Sequence, residues 1–99
     1  MSISKGTKGA VSELLVCADL LSRGFSVFRS TSQSCDCDLI AQKGNLLLRI
    51  EVTTSSTVYK NGSLGVTFKD RDQHKFDILA VNVVPKGIIV YLPTLPDTP

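Results

Sequence analysis

Ninety-nine residues with 42% apolar and 20% charged side chains suit one domain, 1–99, with a single modest core, and no apolar run is long enough for a membrane span. A net charge of +2 excludes a globally basic nucleic-acid binder, so any basic footprint has to be local. Cys17, Cys35 and Cys37 are too few and odd in number for a disulfide framework, and Met1 to Gly9 lacks the apolar stretch of a signal peptide; reduced thiols, a cytoplasmic location and no small-molecule cofactor are expected.

The first element is a helix from about Lys8 to Arg23, closed by Gly24 as a C′ glycine. At 100° per residue, Ala10, Val11, Leu14, Leu15, Cys17, Ala18 and Leu21 form the expected buried face. Ser12, Asp19 and Arg23 fall opposite, and Glu13 lies at the margin. Phe25–Arg29 alternates as a strand, and the polar stretch 30–34 leads into a hairpin centred on Gly44-Asn45, a pair suited to a type II′ turn. Residues 54–72 read as a long excursion followed by a short helical turn around 71–75. Within it, Asn61-Gly62-Ser63 is a loop. Asp77–Val84 and Gly87–Leu92 are near-continuous apolar strands joined at Pro85-Lys86, and Pro93, Pro96 and Pro99 mark a frayed tail. The order αβββ(α)ββ predicts an α/β (α+β) layer arrangement around a five-stranded mixed sheet.

The hairpin carries the chemistry. If Lys43 pairs with Leu46, counting outward sets Ile40 against Arg49, Asp38 against Glu51 and Asp36 against Thr53. Leu46, Leu48, Ile50 and Val52 then share an apolar face, with Glu51 and Thr53 on the other. Directly opposed residues have Cβ atoms roughly 4.5–5.5 Å apart, where two carboxylates repel unless a cation lies between them. Hard oxygen donors at that spacing suit Mg2+ or Mn2+, which leave coordination positions for water and phosphate oxygens. A wet sheet face bearing two acids accounts for the same pattern without a metal.

Lys8-Gly9 and Glu13 in a first helix, then Arg-Gly-Phe-Ser-Val-Phe-Arg, Asp38-Leu39-Ile40-Ala41 and Ile50-Glu51-Val52-Thr53, resemble the PD-(D/E)XK nuclease superfamily. The pattern is most similar to small Holliday-junction-resolvase-like endonuclease domains. It runs from about Lys5 to Leu92. The resemblance implies a restriction-endonuclease-like core and metal-dependent hydrolysis of DNA phosphodiesters, branched DNA among the substrates. In that frame Asp38 and Glu51 hold Mg2+ or Mn2+, Glu13 is a further ligand or water-positioning acid, and the protein is a homodimer. Candidate nucleic-acid contacts are Lys5, Lys8, Arg29, Lys60, Lys69 and Lys75.

One position departs from the family pattern. Thr53 stands where the catalytic lysine is expected, and a hydroxyl can hydrogen-bond but cannot carry positive charge to a phosphate. Lys43, at the turn, is too far along the strand to replace it, which leaves Lys60, Lys69 and Lys75 as donors from the excursion. Three readings follow: an active nuclease, a catalytically impaired nuclease fold that binds DNA or protein, and an unrelated globular function. Among the remaining candidates, His74 reads as a loop residue and Asp36 as the start of a strand. Ser2-x-x-Lys5 carries no catalytic weight, and a zinc site from Cys17, Cys35, Cys37 and His74 lacks the usual ligand spacing.

Overall fold

Ser4 starts the helix. Its Oγ accepts the Thr7 N–H at 3.1 Å, so α1 runs Lys5–Ser22, three residues earlier at its N-terminus than the periodicity indicates. The cap satisfies one of the otherwise orphaned donors of the first turn and offsets the cost of Gly6 and Gly9. The helix ends as expected at Gly24, whose φ of 90° is a conformation that side chains with a Cβ avoid. The computed structural model describes residues 3–32, 37–61 and 75–96.

The strands are β1 (Ser26–Arg29), β2 (Leu39–Lys43), β3 (Leu46–Ser55), β4 (Ile78–Val83) and β5 (Ile88–Leu92). They form one mixed sheet in the order β1-β2-β3-β4-β5, antiparallel throughout except for the parallel pair β3–β4. The expected short helix around 71–75 falls mostly outside the described residues. A 3-10 turn at Val84–Lys86 joins β4 to β5 instead of a plain two-residue link.

The hairpin register is the expected one, with Lys43 opposite Leu46 and Ile40 opposite Arg49. Gly44 has φ 59° while Asn45 keeps a negative φ, the combination a type II′ turn requires. Lys43 Nζ donates to the Arg23 carbonyl at 3.0 Å, fastening the turn to the C-terminal end of α1.

Strand alternation sorts the core into two layers. Leu39, Ala41, Leu48, Ile50, Ile78 and Ala80 pack with Val16 and Leu20 of α1 on one face. Leu79, Val81 and Val83 pack with Phe76 on the other. Strand β4 is buried along its whole length, as its apolar run suggests; β5, expected to be equally central, is an edge strand with Ile88 48% exposed.

The phase of α1 is the main correction. The face toward the sheet is Ser12, Val16 and Leu20, all fully buried or nearly so. Of the face expected to be buried, only Cys17 packs against the core; Ala10, Val11, Leu14, Leu15, Ala18 and Leu21 are exposed. The cause is polar. Thr54 and Asn82, neighbours across the β3–β4 pair, stand beneath the helix, and Ser12 answers both: its Oγ bonds Thr54 Oγ1 at 2.5 Å and accepts from Asn82 Nδ2 at 3.1 Å. Turned the other way, the helix would leave the buried Asn82 amide without this partner, at about 1–3 kcal/mol, and the half-buried Thr54 hydroxyl without it as well. Asp19, also expected on the solvent side, anchors the far end of α1. It accepts from Tyr91 Oη at 2.5 Å and pairs with Arg23 at 2.9 Å. Burial first, and the Asp19 carboxylate second, push the Tyr91 phenol well above its ordinary range.

Candidate active site

Asp38 stands at the lower end of β2, and there the ladder changes. Leu39 faces Ile50, and the Asp38 N–H also donates to the Ile50 carbonyl at 3.0 Å, so two residues oppose one. This is the geometry of a β-bulge, a device that re-aims a side chain at the end of a pairing. The direct opposition of Asp38 and Glu51 expected from the unbroken register therefore does not form. Asp38 Oδ2 turns instead onto the Val52 N–H at 2.8 Å, taking the place of a backbone acceptor on β3. The bulge avoids setting two carboxylates face to face while keeping Asp38 fixed beside the Glu51 segment.

Glu51 and Thr53 occupy alternate positions on β3, in parallel register with Leu79 and Val81. Both are half-buried. Glu13 reaches the Asp38 region from the helix: the two line one polar cleft of about 330 Å³ together with Arg29, Ser30, Thr31 and Cys37. Within it, Arg29 Nη2 lies 3.7 Å from Glu13 Oε1, a loose pair with the arginine half exposed. Burial raises the Cys17 thiol's pKa, an effect that Arg29 opposes and Glu13 reinforces.

Thr53 lies elsewhere. The β2 ladder stops at Ile50 while β3 runs on to Ser55, and on this rim Thr53 lines a second cavity of about 500 Å³ with Lys5, Lys8, Gly9 and Thr54. Lys60 and Lys75, expected as substitutes for the missing lysine, are exposed and do not line it; Lys69 lies outside the described residues. Two lysines from the first turns of α1 thus stand where the sequence sought one from the excursion. The overlooked signal was the Ser4 cap, which extends the helix back to Lys5, one turn before Lys8.

Residues 3–88 match the PD-(D/E)XK endonuclease family. The chain belongs to it. The fold agrees: it is similar to a bacterial homing endonuclease, I-Ssp6803I, with a TM-score of 0.76 and 18% identity, over 97% of this chain and 80% of that one. No protein of curated function matches. PD-(D/E)XK endonucleases act on DNA and generally use divalent metal ions.

The residues fit such an ion in the chemistry of their donors. Asp38, Glu51 and Glu13 offer hard carboxylate oxygens, and Asp38 has one oxygen committed to Val52 and the other available. Among the described residues, however, no three His, Cys, Asp or Glu side chains converge tightly enough to form a ready metal cluster. Glu13 and Asp38 share the cleft; Glu51 does not line it, although the β3 residues on either side of it, Ile50 and Val52, both bond Asp38. The soft alternative, zinc on cysteines and histidine, has Cys35 and His74 outside the described residues. No described helix is long and apolar enough to cross a membrane.

Proposed function

We propose that this PD-(D/E)XK protein is a Mg2+- or Mn2+-dependent endonuclease that hydrolyses DNA phosphodiester bonds, branched Holliday-junction-like DNA included, with Asp38 and Glu51 holding the ion and Glu13 placing the attacking water. The observation that carries the reading is the bulge at Asp38. It fixes one carboxylate oxygen on a backbone N–H and leaves the other free on a residue that lines the same polar cleft as Glu13. When bound, the divalent ion supplies Lewis acidity and a water of lowered pKa.

The chain's own residues do the rest by position and charge. Lys8, with Lys5 beside it, brings positive charge to the Thr53 rim, the role a lysine at position 53 would play. Arg29 serves two states: it neutralises Glu13 in the free protein and is close enough to the cleft to meet a phosphate when DNA binds.

The deciding experiment incubates the purified protein with supercoiled plasmid, nicked duplex and a four-way junction in Mg2+, Mn2+ or neither. Metal-dependent cutting that disappears in Asp38→Asn and Glu51→Gln is expected. Cutting that survives both substitutions, or no cutting of any substrate with either ion, overturns it. A second reading, a nuclease fold that binds DNA without cutting, is favoured by Thr53 and by the absence of a ready three-acid cluster among the described residues. It predicts DNA affinity that falls with salt and ignores the metal.

A further inference from the structure

Between the N-terminal half of α1 and the C-terminal ends of β3 and β4 lies a cavity of about 500 Å³ that the cleavage reading leaves unused. Val11, Leu15 and Val84 wall it, while Ser12, Thr54 and Asn82 supply its polar part. None of its lining residues is aromatic or acidic. Its size is that of a small-ligand site, where apolar walls hold a ring and a few fixed polar groups orient it.

Those polar groups are not spent on one another. Asn82 is only 7% exposed, and its side chain makes one bond, from Nδ2 to Ser12 Oγ; among the described residues its carbonyl oxygen and second N–H meet no protein partner. Ser12 and Thr54 share a single bond between their hydroxyls, so whichever of them donates, the other keeps a proton with no described acceptor. One acceptor and two donors are thus left over beside apolar walls. An aliphatic occupant would strand them, whereas the edge of a nucleobase presents donors and acceptors side by side on a flat ring and satisfies them.

Charge beside the cavity favours a ring that carries phosphate. Lys8 lines both this cavity and the neighbouring one at the Thr53 rim, where Lys5 stands with it. Glu13, the residue after Ser12, lines the acidic cleft, so cleft and cavity flank the same turn of α1. We propose that the cavity receives one unstacked nucleobase of the DNA, with its phosphate on Lys8. This deepens the endonuclease reading and rests on it. A base leaves the stack at least cost where pairing is already disturbed, so the cavity favours nicked, mismatched or branched DNA over intact duplex.

Two measurements test this, and neither reads cleavage. In the full isotope-labelled chain without metal, deoxynucleoside monophosphates should shift the Asn82 side-chain amide resonance with about millimolar affinity, whereas inorganic phosphate should shift the first turns of α1 and leave that amide unmoved. Nicked duplex carrying 2-aminopurine in turn at each position beside the nick should brighten several-fold at one of them on binding, because a ring held among aliphatic side chains escapes the stacking that quenches it. Leu15→Glu sets a carboxylate in the wall and should abolish the brightening with an unchanged circular dichroism spectrum; Leu14→Glu, at an exposed neighbour outside the cavity, should retain it. An Asn82 amide indifferent to every nucleotide, no brightening at any position, or brightening that the two folded variants affect alike overturns the inference. A protein that cuts DNA but gives any of those results loses only the role of the cavity, and one that gives the expected results but never cuts loses only the cleavage.

Discussion

Two aspartates flank β3 in nearly the same way and end in different surroundings. Asp38 precedes β2 and Asp77 precedes β4; each gives its N–H to a β3 carbonyl, Ile50 at 3.0 Å and Arg49 at 2.8 Å respectively. Each also accepts a β3 N–H on a carboxylate oxygen, from Val52 and Arg49, both at 2.8 Å. There the likeness ends. Asp77 meets the Arg49 guanidinium as well, Nη2 to Oδ1 at 3.1 Å and Nε to Oδ2 at 3.3 Å, so both its oxygens are engaged by cation. Asp38 opens into a polar cleft facing another acid. A carboxylate saturated by its own protein is a strand fastener; one left with an oxygen toward a cleft is available for chemistry.

The sharpest way to break this contrast is the same substitution at both sites. Asp38→Asn keeps an acceptor for Val52, so the domain should retain its melting temperature within a few degrees while metal-dependent cleavage falls by about 10³-fold or more. Asp77→Asn should leave cleavage near wild type, and a reversed pattern would exchange the two roles. Next in size, Lys8→Ala should lower cleavage about 10²-fold without loss of fold, and Thr53→Lys in that background should restore part of it. If Lys8→Ala cuts normally, the rim lysine has no catalytic part.

Smaller effects belong to the fastener. Asp77→Ala removes both the guanidinium contacts and the backbone cap, and should cost about 1–2 kcal/mol by denaturant titration, the lower figure reflecting the exposure of the pair. The smallest effect is in pH. Hydrogen bonds from Arg49, side chain first and backbone next, hold the Asp77 carboxyl below its ordinary value of 3.8 against a weaker opposing effect of burial. Its stabilisation is therefore complete above that value and is lost as pH falls below it through the folded-state pKa. The melting temperature of Asp77→Asn should accordingly fall less steeply than wild type between about pH 5 and pH 3; equal slopes would mean that the pair contributes nothing.

What the sequence disclosed follows the range of the interactions. The hairpin was legible because Gly44-Asn45 sets its register locally, and β4 because its apolar run tolerates no solvent on either face. The end of the helix was legible in Gly24. The bulge at Asp38 was not: counting outward from the turn assumes an unbroken ladder, and one extra residue ends it. Nor was the phase of α1, since a helical wheel sends the more numerous apolar residues inward and has no means of knowing that Thr54 and Asn82 wait under Ser12. The neighbourhood of Lys5, Lys8 and Thr53 depends on the same tertiary placement.

Ser12 has a consequence for the residue that follows it. Successive side chains on a helix point about 100° apart, so whatever locks one azimuth dictates the next. The buried hydroxyl, bonded to two strands at once, acts as an index pin that sets α1 at one angle of rotation, and Glu13 is thereby aimed at the β1–β2 side where Asp38 stands. Removal of that one hydroxyl, Ser12→Ala, would take out the pin without changing any acidic residue.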